Sequence, residues 1–469
     1  MSKEQLIHDA AMKILHEVGI KFHNKEARGI LIAHGIRVED DIAFFTEDQV
    51  MHWVKMAPSS FTLYARNPKH NMQIGGDCVH PSPTYGCAFI AERDGTQRPG
   101  TMEDYVKALK LVDASEVYDI NGGILVQPSD IPEDTAPLSM LYATLTHSDK
   151  AILLSTGKKE TVEAMMEVGC ALFGGPEGMA NNPHMIALIN TNSPLSLDDK
   201  MLDNLITLAR YGQPVILCPA AMLGATGPLP MAGTLASGTA ENLAGIALAQ
   251  MIRPGTPVLF GTQSTAADMR EVLFACSAPE GTIMQGFGAA MGRFYGLPSR
   301  GGGSQTDAPV VNAQAGYESM LTFYSAYRHG INLVMEAGGV VASVNATSFD
   351  KMICDFEIIR QVKFSFTPFE VNAETLDMEE IQEVGHSGSF LTTDYTLDHF
   401  MDLYLPRIGS RNAKSASYFE DSIDAESVRL IKKYDDNKPQ LQPEAFEKVN
   451  AILVKAGLKL ELLEKIAAL

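Results

Sequence analysis

The sequence predicts an α/β fold: a (β/α)8 TIM barrel with an N-terminal α+β elaboration and a helical C-terminal extension. Three observations point there. Near-continuous apolar runs of β type alternate with helical segments from about residue 101 to 371, the pattern of a parallel sheet covered on both faces. Those runs close on polar or glycine residues, as strands do at the catalytic end of such a barrel. The alternation is absent on either side.

Residues 1–100 form the N-terminal elaboration. Residues 3–18 read as a helix with Leu6, Ala10, Ile14 and Leu15 on one face and Gly19 as its break. FTLYARN, NMQIGG and GCAFIAERDGTQ, within 60–98, are short alternating runs separated by Pro, Gly and Asn, which predict hairpins. In 101–371 the strand runs are NGGILVQ (121–127), AILLSTG (151–157), MIALINT (185–191), PVILCPA (214–220), PVLFGTQ (257–263) and NLVMEAGG (332–339). A weaker run lies near 298–304, and an eighth is unplaced. Helices at 101–113, 160–173, 198–210 and 239–252 separate them. The runs end in Gln127, Gly157, Asn190 and Thr191, Pro219, Gln263 and Glu336. Turn formation explains the glycine and proline endings, but less readily the Gln, Asn and Glu. From 372 to 469 helices at 374–383, 395–404, 425–434 and 444–467 replace the rhythm. The last sets Phe446, Val449, Ile452, Leu453 and Leu460 at helical spacing, a packing face.

Composition narrows the function. With 45% hydrophobic residues the chain has ample core material, so disorder is excluded. A net charge of -20 repels phosphate backbones, so nucleic acid is not an expected partner. No run approaches the roughly twenty apolar residues of a membrane span, and MSKEQLIHDAAMKILHEVGI lacks the apolar core of a signal peptide. A cytoplasmic protein is expected. The six cysteines form no CxxC pair and no HExxH occurs, so no metal site is expected.

Three stretches stand out. GFGAAMG (286–292) is one residue too long for the dinucleotide fingerprint and reads as close helix packing. GGGS (301–304) sits at a probable strand end. The free amides of Gly301, Gly302, Gly303 and Ser304 could hold an anion or cofactor group, and a tight turn is an equally good reading. The segment AAMLGATGPLPMAGTLASGTAENLAGIALAQ (220–250) is nearly uncharged. A loop so apolar should be covered by protein, by a flat cofactor or by a docked partner.

GATGPLPMAGTLASGTAENLAGIALAQ, QTDAPVVNAQAGYESMLT (305–322), MEAGG (335–339) and GHSGSFLTTDYTLDHF (385–400) together resemble the trimethylamine methyltransferase family, in order along essentially the whole chain. Ser389 and Tyr395 stand where the last of these motifs has His in the family. The resemblance implies a TIM-barrel enzyme that moves a methyl group from an amine to the cobalt(I) of cobalamin carried by a separate corrinoid protein. Founding members carry pyrrolysine; this sequence has only the standard twenty residues. It therefore resembles the members that act on quaternary amines of betaine type, with proline betaine or glycine betaine favoured, and a homo-oligomer is expected. A quaternary ammonium leaves as a neutral tertiary amine, so the protein needs to align and desolvate rather than donate a proton.

Such a site needs aromatic faces and a carboxylate for the cation. Glu336 and Gln305 are the catalytic candidates, and Glu336 could equally be an internal ion pair. Tyr85, Phe349 and Phe356 are the candidate aromatic walls, each also readable as packing. Arg300, His386 and Asp307 are candidate polar contacts, with Asp307 alternatively a helix cap. Two other readings remain: a barrel lyase or aldolase holding a phosphorylated substrate on GGGS, and a non-catalytic betaine-binding protein.

Overall fold

The structure, a computed structural model, describes residues 1–412 and 415–469. Eight parallel strands form one sheet: β1 His80–Pro81, β2 Ile120–Gly122, β3 Ala151–Leu154, β4 Met185–Asn190, β5 Val215–Cys218, β6 Val258–Gly261, β7 Ser299–Gly302 and β8 Leu333–Met335. A helix follows each: α1 Met102–Ala114, α2 Ala136–His147, α3 Lys159–Leu172, α4 Asp199–Arg210, α5 Met231–Ile252, α6 Pro279–Phe294, α7 Ala313–Arg328 and α8 Phe349–Ser365. The strands lie in chain order round the sheet, and the first pairs with the last, Leu333 opposite His80. This is the (β/α)8 barrel; its seam lies between β1 and β2, which no ladder joins among the described residues.

The strand period of two divides the core. Ala151 and Leu153, Ile186 and Leu188, Ile216 and Cys218, and Leu333 and Met335 point into the barrel as one buried cluster. Their neighbours Ile152, Leu154, Ala187, Ile189, Leu217 and Val334 face the helices in a second, larger cluster. An antiparallel hairpin, Ser60–Leu63 with Met72–Gly75, adds Phe61, Leu63, Met72 and Ile74 to the inner cluster. It is tied to the strands' beginnings: Tyr64 N–H donates to Pro183 O at 2.8 Å and Asn67 N–H to Asp149 O at 2.9 Å. The hairpin therefore stoppers the barrel's N-terminal end.

Several elements differ from the sequence reading. The unplaced eighth strand is β1, two residues long and ahead of residue 101, too short and polar to show as an apolar run. The uncharged stretch after β5 is mostly helix: α5 begins at Met231, not 239, and every residue from 238 to 251 is buried. Its cover is protein, the N-terminal helices Lys3–Lys13 and Glu47–Val54. The first of these gives way to a π turn at Ile14–Val18, and its buried face runs through Ile7, Ala11 and Met12, leaving Leu6 exposed. The final helix is two, α10 Pro443–Lys455 and α11 Leu460–Ala468, broken at Gly457 with φ of 102°. Val449 and Leu453 are buried, whereas Leu460 leaves the stripe and is exposed. With α9, Tyr418–Asp436, these helices pack on the barrel: α9 on α1 and α8, α10 on α3, α11 on α2. Among the described residues no helix is long and apolar enough to cross a membrane.

Candidate active site

A cup of about 410 Å³ opens where the strands end. Asn190, Cys218, Gln263, Arg300 and Glu336 reach it from the ends of β4 to β8, and Tyr85 closes it from the loop after β1. Ligands of α/β barrels sit at this end because the βα loops can vary without disturbing the strands.

One network organises the floor. Arg300 Nη2 donates to both oxygens of the Glu336 carboxylate, and Nη1 donates to Gln263 Oε1 at 2.7 Å and to Cys218 Sγ at 3.2 Å. Gln263 Nε2 donates to Gln305 Oε1 at 2.8 Å, and Gln305 Nε2 reaches Glu336 at 3.4 Å. All five side chains are buried. Burial pushes the Glu336 carboxyl up from its ordinary value, and the Arg300 guanidinium opposes that shift. Burial likewise raises the Tyr85 phenol, and it lifts the Cys218 thiol to about 11, so neither is a ready nucleophile at neutral pH. Arg300 Nε is buried without a hydrogen-bond partner among the described residues. An unpaired buried donor of this kind costs about 1–3 kcal/mol until something accepts from it.

The rim is strained. Glu336 (φ 55°) and the run Ala342, Ser343 and Val344 (φ 50°, 56° and 71°) are left-handed, a region costly for residues with a Cβ and most of all for a β-branched one. Ser343 and Val344 line the cup, as does Phe274 from the loop after β6. Asp307 fastens this rim. It accepts from Cys276 N–H at 3.0 Å, from Ser277 N–H at 3.2 Å and from Ser343 Oγ at 2.7 Å, so the two lining loops are held to one carboxylate.

Of the residues expected from sequence, the structure brings Tyr85, Arg300, Gln305 and Glu336 together, and Glu336 is both cup wall and internal ion pair. Others lie elsewhere. Phe356 is in the outer core, edge-on to Tyr118 at 5.5 Å. Phe349 opens α8 with the Lys107 ammonium 4.0 Å above its ring. His386 is exposed on the C-terminal extension. Asp307 is not among the residues lining the cup, and it caps no helix, because Asn312 caps α7. Gly301, Gly302, Gly303 and Ser304 are no anion cradle: Gly302 N–H donates to Gln285 Oε1 at 2.8 Å and Gly303 N–H to Met335 O at 3.1 Å. Glycine is needed at 302 for room, since a Cβ would lie 2.6 Å from Gln263 and 2.7 Å from Gln305. The Ser304 hydroxyl donates to Asp355 at 2.8 Å. Sequence reasoning passed over Gln263 and Asn190 as site residues, although both were visible as polar strand endings. Phe274 carried no such signal, because it lies in a short antiparallel strand pair after β6 and not at a barrel-strand end.

Fold and cup together define a (β/α)8 barrel protein with an open cup at the strands' C-terminal ends. A match to the trimethylamine methyltransferase (MTTB) family spans residues 1–427, and the chain belongs to that family. It is 38% identical over 459 residues to a glycine betaine methyltransferase of Desulfitobacterium hafniense (strain Y51), covering 97% of this chain and 95% of the relative. It is 29% identical to a proline betaine:corrinoid methyltransferase of Eubacterium limosum, covering 89% and 88%. Among solved structures, the Methanosarcina barkeri monomethylamine methyltransferase superposes with a TM-score of 0.50 over 92% of this chain and 98% of its own, at 11% identity, a likeness of fold alone.

Proposed function

We propose that the protein transfers a methyl group from a quaternary amine of betaine type, glycine betaine first, to the cobalt(I) of cobalamin on a separate corrinoid protein in the cytoplasm. The observation that carries this reading is the cup itself, a small hollow that sets two aromatic rings and a paired carboxylate round one volume. Its 410 Å³ lies at the small end of the range for small-molecule sites, about 300–1,000 Å³. That fits a betaine and leaves no room for a corrin macrocycle. A second hollow of about 640 Å³ adjoins the cup, sharing Ile124 and Thr156 with it. Its walls include Pro128, Pro132, Lys158 and Lys200, and there the edge of a carrier-borne macrocycle could be received.

Tyr85 and Phe274 would face the trimethylammonium, a contact of up to about 2 kcal/mol once water is excluded. Glu336 keeps the cup from being net cationic by neutralising Arg300. Arg300 Nε, lacking a partner, would take a substrate carboxylate oxygen. Cobalt(I) supplies the attacking electron pair, so no side chain need act as nucleophile. The protein aligns the donor, fixes its charge and excludes water. The higher identity to the glycine betaine enzyme favours that substrate over proline betaine. Six free cysteines suit a reducing compartment. The aldolase reading has no support in the cup, which has no lysine among its described lining residues, and the amides of Gly302 and Gly303 are engaged.

The test incubates the protein with a reduced corrinoid carrier and, separately, glycine betaine, proline betaine and trimethylamine. Methylated cobalt appearing with dimethylglycine as the mass-spectrometric product is expected. No methylation from any betaine overturns the reading; methylation from proline betaine alone overturns the choice of substrate.

A further inference from the structure

The cup is graded from floor to mouth. Its polar side chains Gln263, Arg300, Gln305 and Glu336 are buried, whereas Ile124, Met201, Phe274 and Val344 are only half-buried. On the betaine reading above, the donor's carboxylate points inward to Arg300 Nε, and its ammonium lies outward, within this apolar collar. The end of the donor that is gauged for size is therefore the end at the mouth. Of the four collar residues, Val344 alone has a left-handed backbone, with φ of 71°.

Val344 closes a run of three left-handed residues, Ala342 to Val344, that joins two short antiparallel strands, Val340–Val341 and Ala346–Thr347. Glycine is the ordinary residue for such a backbone, and a β-branched one is the least suited. A turn of this kind persists only where its surroundings over-determine it, and here they do. Ala342 N–H donates to Ala308 O at 2.9 Å, Ser343 N–H to Thr306 O at 3.3 Å, and the Ser343 hydroxyl to Asp307 at 2.7 Å. Residues 306 and 307 are in turn fastened to α7, where Glu318 accepts from Asp307 N–H at 2.9 Å and from the Thr306 hydroxyl at 2.5 Å. Asp307 engages the Ser343 hydroxyl, so Val344 is the apolar side chain that the turn presents to the cup.

We propose that Val344 is the specificity-determining residue of the cup, setting the girth of the ammonium group it admits, and that Asp307 is the positioning residue that holds it there. The inference rests on the betaine reading and deepens it. A trimethylammonium is compact. The cyclic ammonium of proline betaine carries two further ring carbons at the same depth, where the isopropyl group of Val344 stands. One methylene of misfit in an apolar pocket discriminates by about 10-fold or more. A wall selects in this way only if it does not yield, and the hydrogen bonds to 306–308 keep this turn from yielding. Open-chain donors are thereby favoured over cyclic ones.

Methyl transfer from glycine betaine and from proline betaine to a reduced corrinoid carrier, compared as kcat/KM on the full chain, tests this. Val344→Gly removes the isopropyl group at a backbone that glycine adopts freely, so the variant should fold. It should shift the ratio of the two substrates at least about 10-fold towards proline betaine. Val344→Leu, which fills more of the mouth, should shift the ratio the other way. Asp307→Ala should follow Val344→Gly in direction and raise the KM for glycine betaine more than it lowers kcat. Asp307→Asn keeps an acceptor for Ser343 and should return most of the ratio. Damage to the fold alone lowers both substrates together and leaves their ratio unmoved. An unmoved ratio in Val344→Gly, or shifts of one sign in the Gly and Leu variants, therefore overturns the proposal, and a wild-type ratio in Asp307→Ala overturns the positioning role. A wild type that demethylates no betaine overturns the underlying reading as well; a wild type that does so, with variants of unchanged ratio, overturns this inference alone.

Discussion

The two ends of the barrel treat awkward side chains in opposite ways. At the cup end, a guanidinium, a carboxylate and two amides lie inside the protein, brought by β6, β7, β8 and the loops after them, so that they satisfy one another. At the other end, the segment after α8 carries large apolar side chains such as Phe369 and Leu391 outside, because its own chain offers nothing to cover them. The lesson is that burial follows available partners rather than residue type: charge goes inside where neighbouring strands supply its complement, and hydrocarbon stays outside where the chain itself supplies none. The packed part of the C-terminal extension lies between these extremes. There α9 and α11 find His147 on α2, whose ring nitrogens meet Tyr434 Oη and Ile466 O at 2.9 Å each.

The largest effect that would break this contrast is at Arg300. Arg300→Ala leaves Glu336 buried and unpaired and should cost about 3–5 kcal/mol in urea unfolding. A substitution in the segment after α8, such as Phe369→Ser, should stay within about 0.5 kcal/mol. Equal effects would mean the cup network is not what holds that end. Pairing Arg300→Met with Glu336→Gln should recover most of the stability and none of the methyl transfer.

Acid should act next, on the packed helices. Burial depresses His147 to about 4 from 6.5, so the unfolded chain takes up a proton first as pH falls. The stability His147 supports is complete above 6.5 and is lost between 6.5 and about 4, up to about 3 kcal/mol. His147→Gln should flatten that part of the pH–stability curve; an unchanged slope would place the proton uptake elsewhere.

Smaller effects sharpen the cup. Tyr85→Ala and Phe274→Ala should each raise the KM for betaine by about 3- to 30-fold, as loss of one cation–π face implies. An unchanged KM would remove that residue from the aromatic wall. Smallest is Glu116, held down to about 2 by Lys433 and by Arg407. Its contribution is present above 4.5 and fades as pH falls towards 2; solvent screening keeps it under about 1 kcal/mol. Glu116→Gln should therefore separate from wild type at neutral pH and converge with it in acid.

How much of this could be read from residues alone follows the same physics. Strands β3 to β6 and β8 announced themselves because a strand buried on both faces must be apolar throughout. β1 did not, since two residues show no period. Glu336 was legible because it ends a strand run, a position already biased towards the cup, and Arg300 and Gln305 because they flank the GGGS run. Phe349 and Phe356 misled because an aromatic at core spacing looks the same whether it lines a cavity or packs a helix. The GGGS run suggested an anion site because sequence shows the glycines but not the Gln285 and Met335 acceptors that engage two of their amides. Asp307 was visible only as a carboxylate; its grip on both rim loops depends on residues some thirty positions away on either side.

Because the hairpin stoppers the far end, donor and carrier approach the cup from the same side of the barrel. In the proposed reaction the methyl donor must load before the carrier arrives, and the demethylated amine must wait for the carrier to leave. Turnover should then follow a compulsory sequence in which excess carrier traps the spent amine behind it.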